Sequence, residues 1–204
     1  EMTSSLVGSE MCIRDSIFSV LLSVVSLVLP LTYPFLPLQL SLLGAATIGT
    51  PAFFLALEPN HERVHGRFIS NVLRAALPGG ITDFLLVFLA QGFCFAFDLP
   101  SDYLGTISTI VVLTVGLMVL WGICRPFNTW HWVLWGAMAV IGYGGALLLA
   151  PWLGLVKLDL GGTLVLVALL GLAGPTLFGV SMLNTRIHGA VGEVQDKARR
   201  RRES

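Results

Sequence analysis

Three long stretches without a charged side chain, residues 17–57, 103–124 and 126–156, restrict the fold more than any other feature of this sequence. A helix needs ~20 mostly apolar residues to cross a bilayer, and each stretch is long enough. Of the 204 residues, 55% are hydrophobic and only 12% are charged, whereas soluble proteins average about 25% charged residues. This composition excludes a soluble enzyme, a nucleic-acid-binding protein and a disordered segment.

The hydrophobic pattern predicts an all-α, polytopic bundle of about six transmembrane helices. Prolines at positions 30, 34 and 37 divide the first uncharged stretch, and ten-residue alternating segments typical of a membrane β-barrel are not evident. We predict a transmembrane domain over residues 17–184 and a basic tail over residues 185–204. The expected spans are 17–32, 38–57, 75–97, 103–124, 130–150 and 160–184.

The basic residues predict the orientation of these spans. Among residues 17–204, 10 of the 11 Lys and Arg lie in the second-to-third connection, the fourth-to-fifth connection and the tail. The other connections hold Asp98, Asp102 and Asp159 against a single base, Lys157. Basic loops stay on the cytoplasmic side. We therefore expect a multi-pass protein of the plasma membrane with both ends in the cytoplasm and the lipid bilayer as its surroundings.

The first 16 residues differ in character from the rest. The segment LVGSEMCIRDS, residues 6–16, resembles the in-frame translation of a transposon-based sequencing adapter. We therefore expect residues 1–16 to be an artefact and exclude them from fold reasoning. The alternative is a natural polar N-terminal arm. If the adapter interpretation holds, the native protein continues upstream of Ile17 and this chain is a fragment.

The second span contains the main candidate site. Pro51 follows Gly49 in mid-span, and a proline removes a backbone donor and clashes with the preceding turn. We expect a kinked or partly unwound helix at Gly49 and Pro51, with freed carbonyl groups and the hydroxyls of Thr47 and Thr50 available to a cation. The alternative is a packing kink whose carbonyls are satisfied by neighbouring helices.

The pattern Gly49-x-Pro51-x-x-x-Leu55-x-x-Glu58-Pro59 resembles the sixth membrane helix of cation-transporting P-type ATPases, especially a bacterial, calcium-pump-like branch. The basic connection 60–74 and four further spans agree with that family by number and topology. The resemblance implies that residues 17–184 are helices five to ten of a pump.

That resemblance also implies a parent protein that uses ATP and Mg²⁺ and transports a cation such as calcium. It assigns a cation-ligand role to Thr47, but Ile48 and Gly44 stand where calcium pumps carry further ligands. The Asp-Lys-Thr-Gly phosphorylation motif is absent from the sequence. We therefore expect no catalytic residue and no cofactor in this chain, no activity of the fragment alone, and the missing N-terminal domains as its partners, with no nucleic acid.

Two acids lie in or beside the expected spans. Asp83 is embedded in the third span, and an intramembrane carboxylate suggests function because it is costly to bury. It could also pair with Arg74 or cap a helix that restarts after Gly79 and Gly80. Glu58 lies at the cytoplasmic end of the second span, where it could line an ion path or face water. Both are candidate cation ligands, and no His or Cys cluster suggests another metal site.

Another class of protein remains open on the sequence alone. An independent six-span secondary transporter or channel would need no ATP-dependent domains. Secondary transporters often contain internal repeats, and the Gly-x-Pro feature of the second span has no clear counterpart three spans later. A scaffold or subunit of a membrane complex is a third alternative.

Overall fold

The computed structural model describes residues 2–28, 33–56, 68–124 and 129–203. All regular elements in these ranges are helical. They are α1 (Met2–Val28), α2 (Pro37–Gly44), a π-helical turn (Ala45–Gly49), α3 (Thr50–Ala56), α4 (Phe68–Ala96), α5 (Ser101–Ile123), α6 (Thr129–Leu148) and α7 (Leu160–Glu203).

Among the described residues, four helical segments are long and apolar enough to cross a membrane: Ala76–Ala96, Ser101–Ile123, Thr129–Leu148 and Leu160–Arg186. These agree closely with the last four predicted spans. The first two predicted spans are not confirmed. Only residues 17–28 of the first lie in α1, and the second is divided among α2, the π-helical turn and α3. The count of six therefore stays a prediction.

Local sequence explains where several helices begin and end. Pro37 occupies the first turn of α2, and the Gln39 side chain accepts a hydrogen bond from the backbone N–H of Leu36 at 3.0 Å. Helix α4 ends at Ala96, and two residues later Asp98 has a left-handed φ of 51°. The N–H of Leu99 then bonds to the carbonyl of Cys94. The Asp159 carboxylate accepts the N–H of Gly162 at 2.8 Å and so caps the start of α7.

Helix α5 lies at the centre of the bundle: 61% of the residues in its 18-residue apolar stretch are buried, against 22% in that of α6 and 17% in that of α7. One apolar cluster joins α5 to α1, α2 and α6, and includes Phe18, Leu43, Leu113 and Met138. A second joins α5 to α4 and α7. The exposed apolar side chains of α6 and α7 suit a lipid surface.

The two terminal regions are continuations of the first and last helices, α1 and α7. The backbone of α1 runs continuously from Met2 through residue 16 into the apolar segment. The backbone of α7 likewise continues past residue 184 to Glu203, so the predicted basic tail prolongs the last helix instead of starting a separate element.

Candidate cation site

The structure places Asp83 in the interior of the bundle. It lies on α4, its residue is fully buried, and its Oδ2 forms an ion pair with Nη2 of Arg14 on α1 at 2.7 Å. The Nε of Arg14 also donates to the same oxygen at 2.8 Å. Both side chains are 1% exposed. The attraction between two opposite charges at this distance offsets much of the free-energy cost of removing each charge from water. Neither charge would therefore be stable at this place without the other.

The pair is incompletely hydrogen-bonded. Within the described ranges, Oδ1 of Asp83 and Nη1 of Arg14 are buried and have no hydrogen-bond partner. Buried polar atoms of this kind are rare in folded proteins. The carboxylate therefore keeps one oxygen that another donor or a cation could use.

Asp83 pairs with a residue that sequence reasoning had set aside. Arg14 belongs to the segment expected to be an artefact, so it entered none of the sequence-based hypotheses. Of the alternatives for Asp83, the Arg74 side chain lies outside what the structure describes. A restart of the helix after the two glycines is not observed, because α4 continues through Gly79 and Gly80.

Thr47 lies in the π-helical turn and is 1% exposed. Its hydroxyl donates to the carbonyl of Leu43 at 2.7 Å, which leaves the lone pairs of its oxygen available as an acceptor. Thr47 also borders Gly116 on α5. A Cβ atom at position 116 would lie 2.5 Å from Cγ2 of Thr47 and 3.2 Å from Nη1 of Arg14.

This contact brings three elements together. Thr47 and the Arg14 guanidinium both lie within 3.2 Å of one point beside Gly116. Because that guanidinium binds Asp83, Thr47 and Asp83 both lie near the same positive charge. The stem of Arg14 lies against Gly79, where an added Cβ would be 2.9 Å from Cδ. The guanidinium therefore occupies a slot between α4, α5 and the π-helical turn.

The backbone at the expected break stays helical. The N–H of Thr50 bonds to the carbonyl of Ala45, five residues back, which is the spacing of a π-helix. Pro51 lies just beyond the turn and has no N–H to donate. One carbonyl of the π-helical turn therefore loses its usual helical donor, and π-turns of this type are frequent at functional sites.

The other predicted site residues have different positions. Thr50 is half-buried and begins α3, whereas Pro51 is buried in its first turn. The nearest atom to an added Cβ on Gly49 is the carbonyl oxygen of Gly44 at 3.8 Å. Glu58 lies outside the described residues.

Gly116 and Arg14 are the site residues that sequence reasoning missed. The uncharged span 103–124 gave no signal that distinguished Gly116 from its other glycines. Within the described part of the chain, no group of three or more His, Cys, Asp or Glu side chains could hold a metal ion. Any cation at this place would therefore need hydroxyl and carbonyl oxygens in addition to carboxylate.

Comparison with known proteins adds evidence of ancestry. The chain is 33% identical over 118 residues to the calcium-transporting ATPase CtpE of Mycolicibacterium smegmatis, a match that covers 56% of this chain and 15% of that protein. The protein of the same name from Mycobacterium tuberculosis is 33% identical over 109 residues, which is 52% of this chain and 14% of that one. The predicted resemblance to cation-transporting P-type ATPases is confirmed.

A more distant relative agrees with this assignment. A probable cation-transporting ATPase of Streptococcus pneumoniae is 25% identical over 104 residues, or 51% of this chain and 13% of that protein. No protein-family model matches the chain, and no solved structure matches it significantly. The chain spans only about a seventh of the length of these P-type ATPases, so it corresponds to a small part of such a protein.

Proposed function

We propose that this chain is the C-terminal membrane part, helices five to ten, of an ATP-driven cation pump, and that Thr47 and Asp83 supply oxygen ligands to the transported cation. The observation that carries this proposal is one buried positive charge that binds Asp83 and lies near Thr47 of the π-helical turn. The names of the relatives support transport of a cation.

The guanidinium of Arg14 stands in for that cation. It brings a single positive charge to a fully buried carboxylate, and a carboxylate at this depth requires a compensating charge. If residues 1–16 come from an adapter, the parent protein must meet this requirement in another way, and a transported cation would do so. If they are native, Arg14 is a tethered counter-charge that the cation must displace.

The available atoms suit a hard cation. Carboxylate, hydroxyl and backbone carbonyl oxygens are the ligands that Ca²⁺ and Mg²⁺ prefer. Asp83 has an oxygen without a hydrogen bond, and the hydroxyl oxygen of Thr47 can still accept one. The π-helical turn also contains a carbonyl that receives no hydrogen bond from Pro51, because proline has no N–H. These are fewer than the roughly 6–8 oxygens that Ca²⁺ binds, so the complete site needs ligands from elsewhere in the parent protein.

The proposal also includes Thr50, Glu58 and the other parts of the pump. Thr50 and Glu58 are assigned to the cation path from the sequence pattern, with Gly49 and Pro51 shaping the helix. The parent would hydrolyse ATP with Mg²⁺ in domains N-terminal to this fragment and operate in the plasma membrane with both ends of this fragment cytoplasmic. Such pumps form a covalent aspartyl-phosphate, for which this chain carries no motif.

The test uses the full-length parent protein, reconstituted in vesicles, with phosphoenzyme formation measured against cation concentration. We expect D83N to raise the cation concentration needed for half-maximal phosphorylation at least about tenfold, because loss of a ligand charge costs on the order of 1.4 kcal/mol or more. T47A should raise it several-fold. D98N is the matched control, since Asp98 is exposed on a turn and asparagine tolerates its left-handed φ.

The outcomes separate the hypotheses. Unchanged cation dependence in both D83N and T47A would remove these residues from the site. Transport by the parent that needs no ATP would favour a secondary transporter or channel. A cation-dependent phosphoenzyme formed by the 204-residue chain alone would also contradict the proposal, because the fragment is expected to be inactive.

A further inference from the structure

Gly116 contacts the candidate site from a helix to which the sequence assigned no function. It is buried on α5, 33 residues from Asp83 along the chain and 69 residues from Thr47. The absence of a side chain at position 116 lets the Thr47 methyl group and the Arg14 guanidinium approach the α5 backbone together. An added Cβ would lie 2.5 Å from one and 3.2 Å from the other.

We propose that Gly116 is a specificity-determining residue that sets the size of the cation space between Thr47 and Asp83. This inference rests on the proposed function of that site. A Cβ at position 116 must displace Thr47, because real Cβ atoms essentially never approach another heavy atom within 3.0 Å. The added methyl group would also lie 3.2 Å from Nη1 of Arg14 and so shrink the space in which the positive charge lies.

The size of that space decides which divalent cation fits. Ca²⁺ binds oxygen at about 2.3–2.6 Å, whereas Mg²⁺ requires about 2.0–2.1 Å and near-octahedral geometry. A smaller cavity therefore penalises Ca²⁺ more than a smaller ion such as Mn²⁺. We infer that glycine at this position favours the larger ion.

Another glycine of α5, Gly122, lacks such a close contact and can serve as the control. An added Cβ on Gly122, six residues further along the same helix, would meet nothing within 4 Å. G122A therefore introduces the same methyl group and the same helix-stabilising change without touching the site. Any effect of alanine on helix propensity is shared by both variants.

The decisive experiment compares G116A, G122A and the double variant G116A/T47S in the reconstituted full-length protein. Phosphoenzyme formation is measured against Ca²⁺ and, separately, against Mn²⁺. Overpacking of a tight contact typically costs several-fold to a hundredfold in an equilibrium, so we expect G116A to weaken Ca²⁺ dependence about tenfold and Mn²⁺ dependence clearly less. G122A should leave both unchanged.

The T47S substitution tests the mechanism directly. Serine keeps the hydroxyl of residue 47 but lacks the Cγ2 methyl that lies 2.5 Å from the added Cβ. We therefore expect G116A/T47S to recover most of the Ca²⁺ dependence that G116A loses, and to restore folding if G116A is unstable in detergent. T47S alone should change the Ca²⁺ dependence by less than G116A does.

Failure of this inference differs from failure of the proposed function. If D83N and T47A weaken cation dependence but G116A behaves like G122A, the site stands and Gly116 does not set its size. Equal loss for Ca²⁺ and Mn²⁺, or no recovery in G116A/T47S, would likewise overturn the inference. If D83N and T47A have no effect, the proposed function itself fails.

Discussion

The buried ion pair between Arg14 and Asp83 gives a sharp test of the structure in the 204-residue chain as it exists. Replacing Asp83 with leucine leaves a guanidinium buried among apolar helices without its partner. Replacing Arg14 with methionine leaves the Asp83 carboxylate buried without its partner. Removing one member of a buried pair typically costs about 3–5 kcal/mol, and the 1% exposure of both side chains places this pair in that class.

The double variant R14M/D83L is expected to recover most of this loss. Replacing a buried ion pair by apolar residues of similar volume is often neutral or stabilising. We therefore expect its free energy of unfolding to lie within about 1–2 kcal/mol of the original chain. The coupling energy between the two positions should be about 3 kcal/mol or more, well above the typical 0.5 kcal/mol limit of additivity for separated sites.

The measurement is reversible unfolding of the purified chain in mixed micelles by increasing SDS, followed by far-ultraviolet circular dichroism. D98N serves as the control and should change stability by less than about 0.5 kcal/mol, because Asp98 is exposed. A D83L variant as stable as the original chain would refute the buried pairing. Additive effects of R14M and D83L would do the same, whatever the origin of residues 1–16.

Two further predictions concern packing and orientation. Q39L should destabilise the chain by about 2 kcal/mol in the same SDS assay, because it removes the hydrogen bonds that Gln39 makes with the Leu153 carbonyl at 2.8 Å and the Leu36 N–H at 3.0 Å. The control S41A, on the exposed face of α2, should have little effect on stability. A Q39L variant as stable as the original chain would contradict these hydrogen bonds. A reporter fused to the C-terminus should be active on the cytoplasmic side, as the basic residues predict, and activity on the opposite side would contradict the proposed orientation.

The last four spans were largely predictable from sequence because length and hydropathy are local properties. Span 103–124, for example, agrees within two residues with α5 (Ser101–Ile123). The second span was harder to predict. Its Gly-x-Pro pattern indicated a departure from α-helical geometry, but the form of that departure, a π-helical turn with a continuous backbone, depends on how Ala45 and Thr50 share a hydrogen bond.

Sequence reasoning identified Asp83 and Thr47 as candidates but could not show that both lie near the Arg14 guanidinium. Asp83 was notable because a charge inside an apolar span is costly, and Thr47 because it precedes the Gly-x-Pro pattern. Arg14 was excluded with its segment, and Gly116 gave no signal because a glycine in an apolar span serves packing in most cases. The role of Gly116 depends on which helix packs against it, and the sequence does not give that.

The amino-acid order by itself determined that this chain is helical, that it belongs in a bilayer and where its last four crossings lie, since each follows from runs of apolar side chains that need no distant partner. Only the tertiary structure decided that a carboxylate on α4, Thr47 in the π-helical turn and a bare backbone position on α5 lie near one positive charge. The physical reason is that hydropathy fixes how far a helix extends, whereas its rotation and neighbours are fixed by close packing between helices.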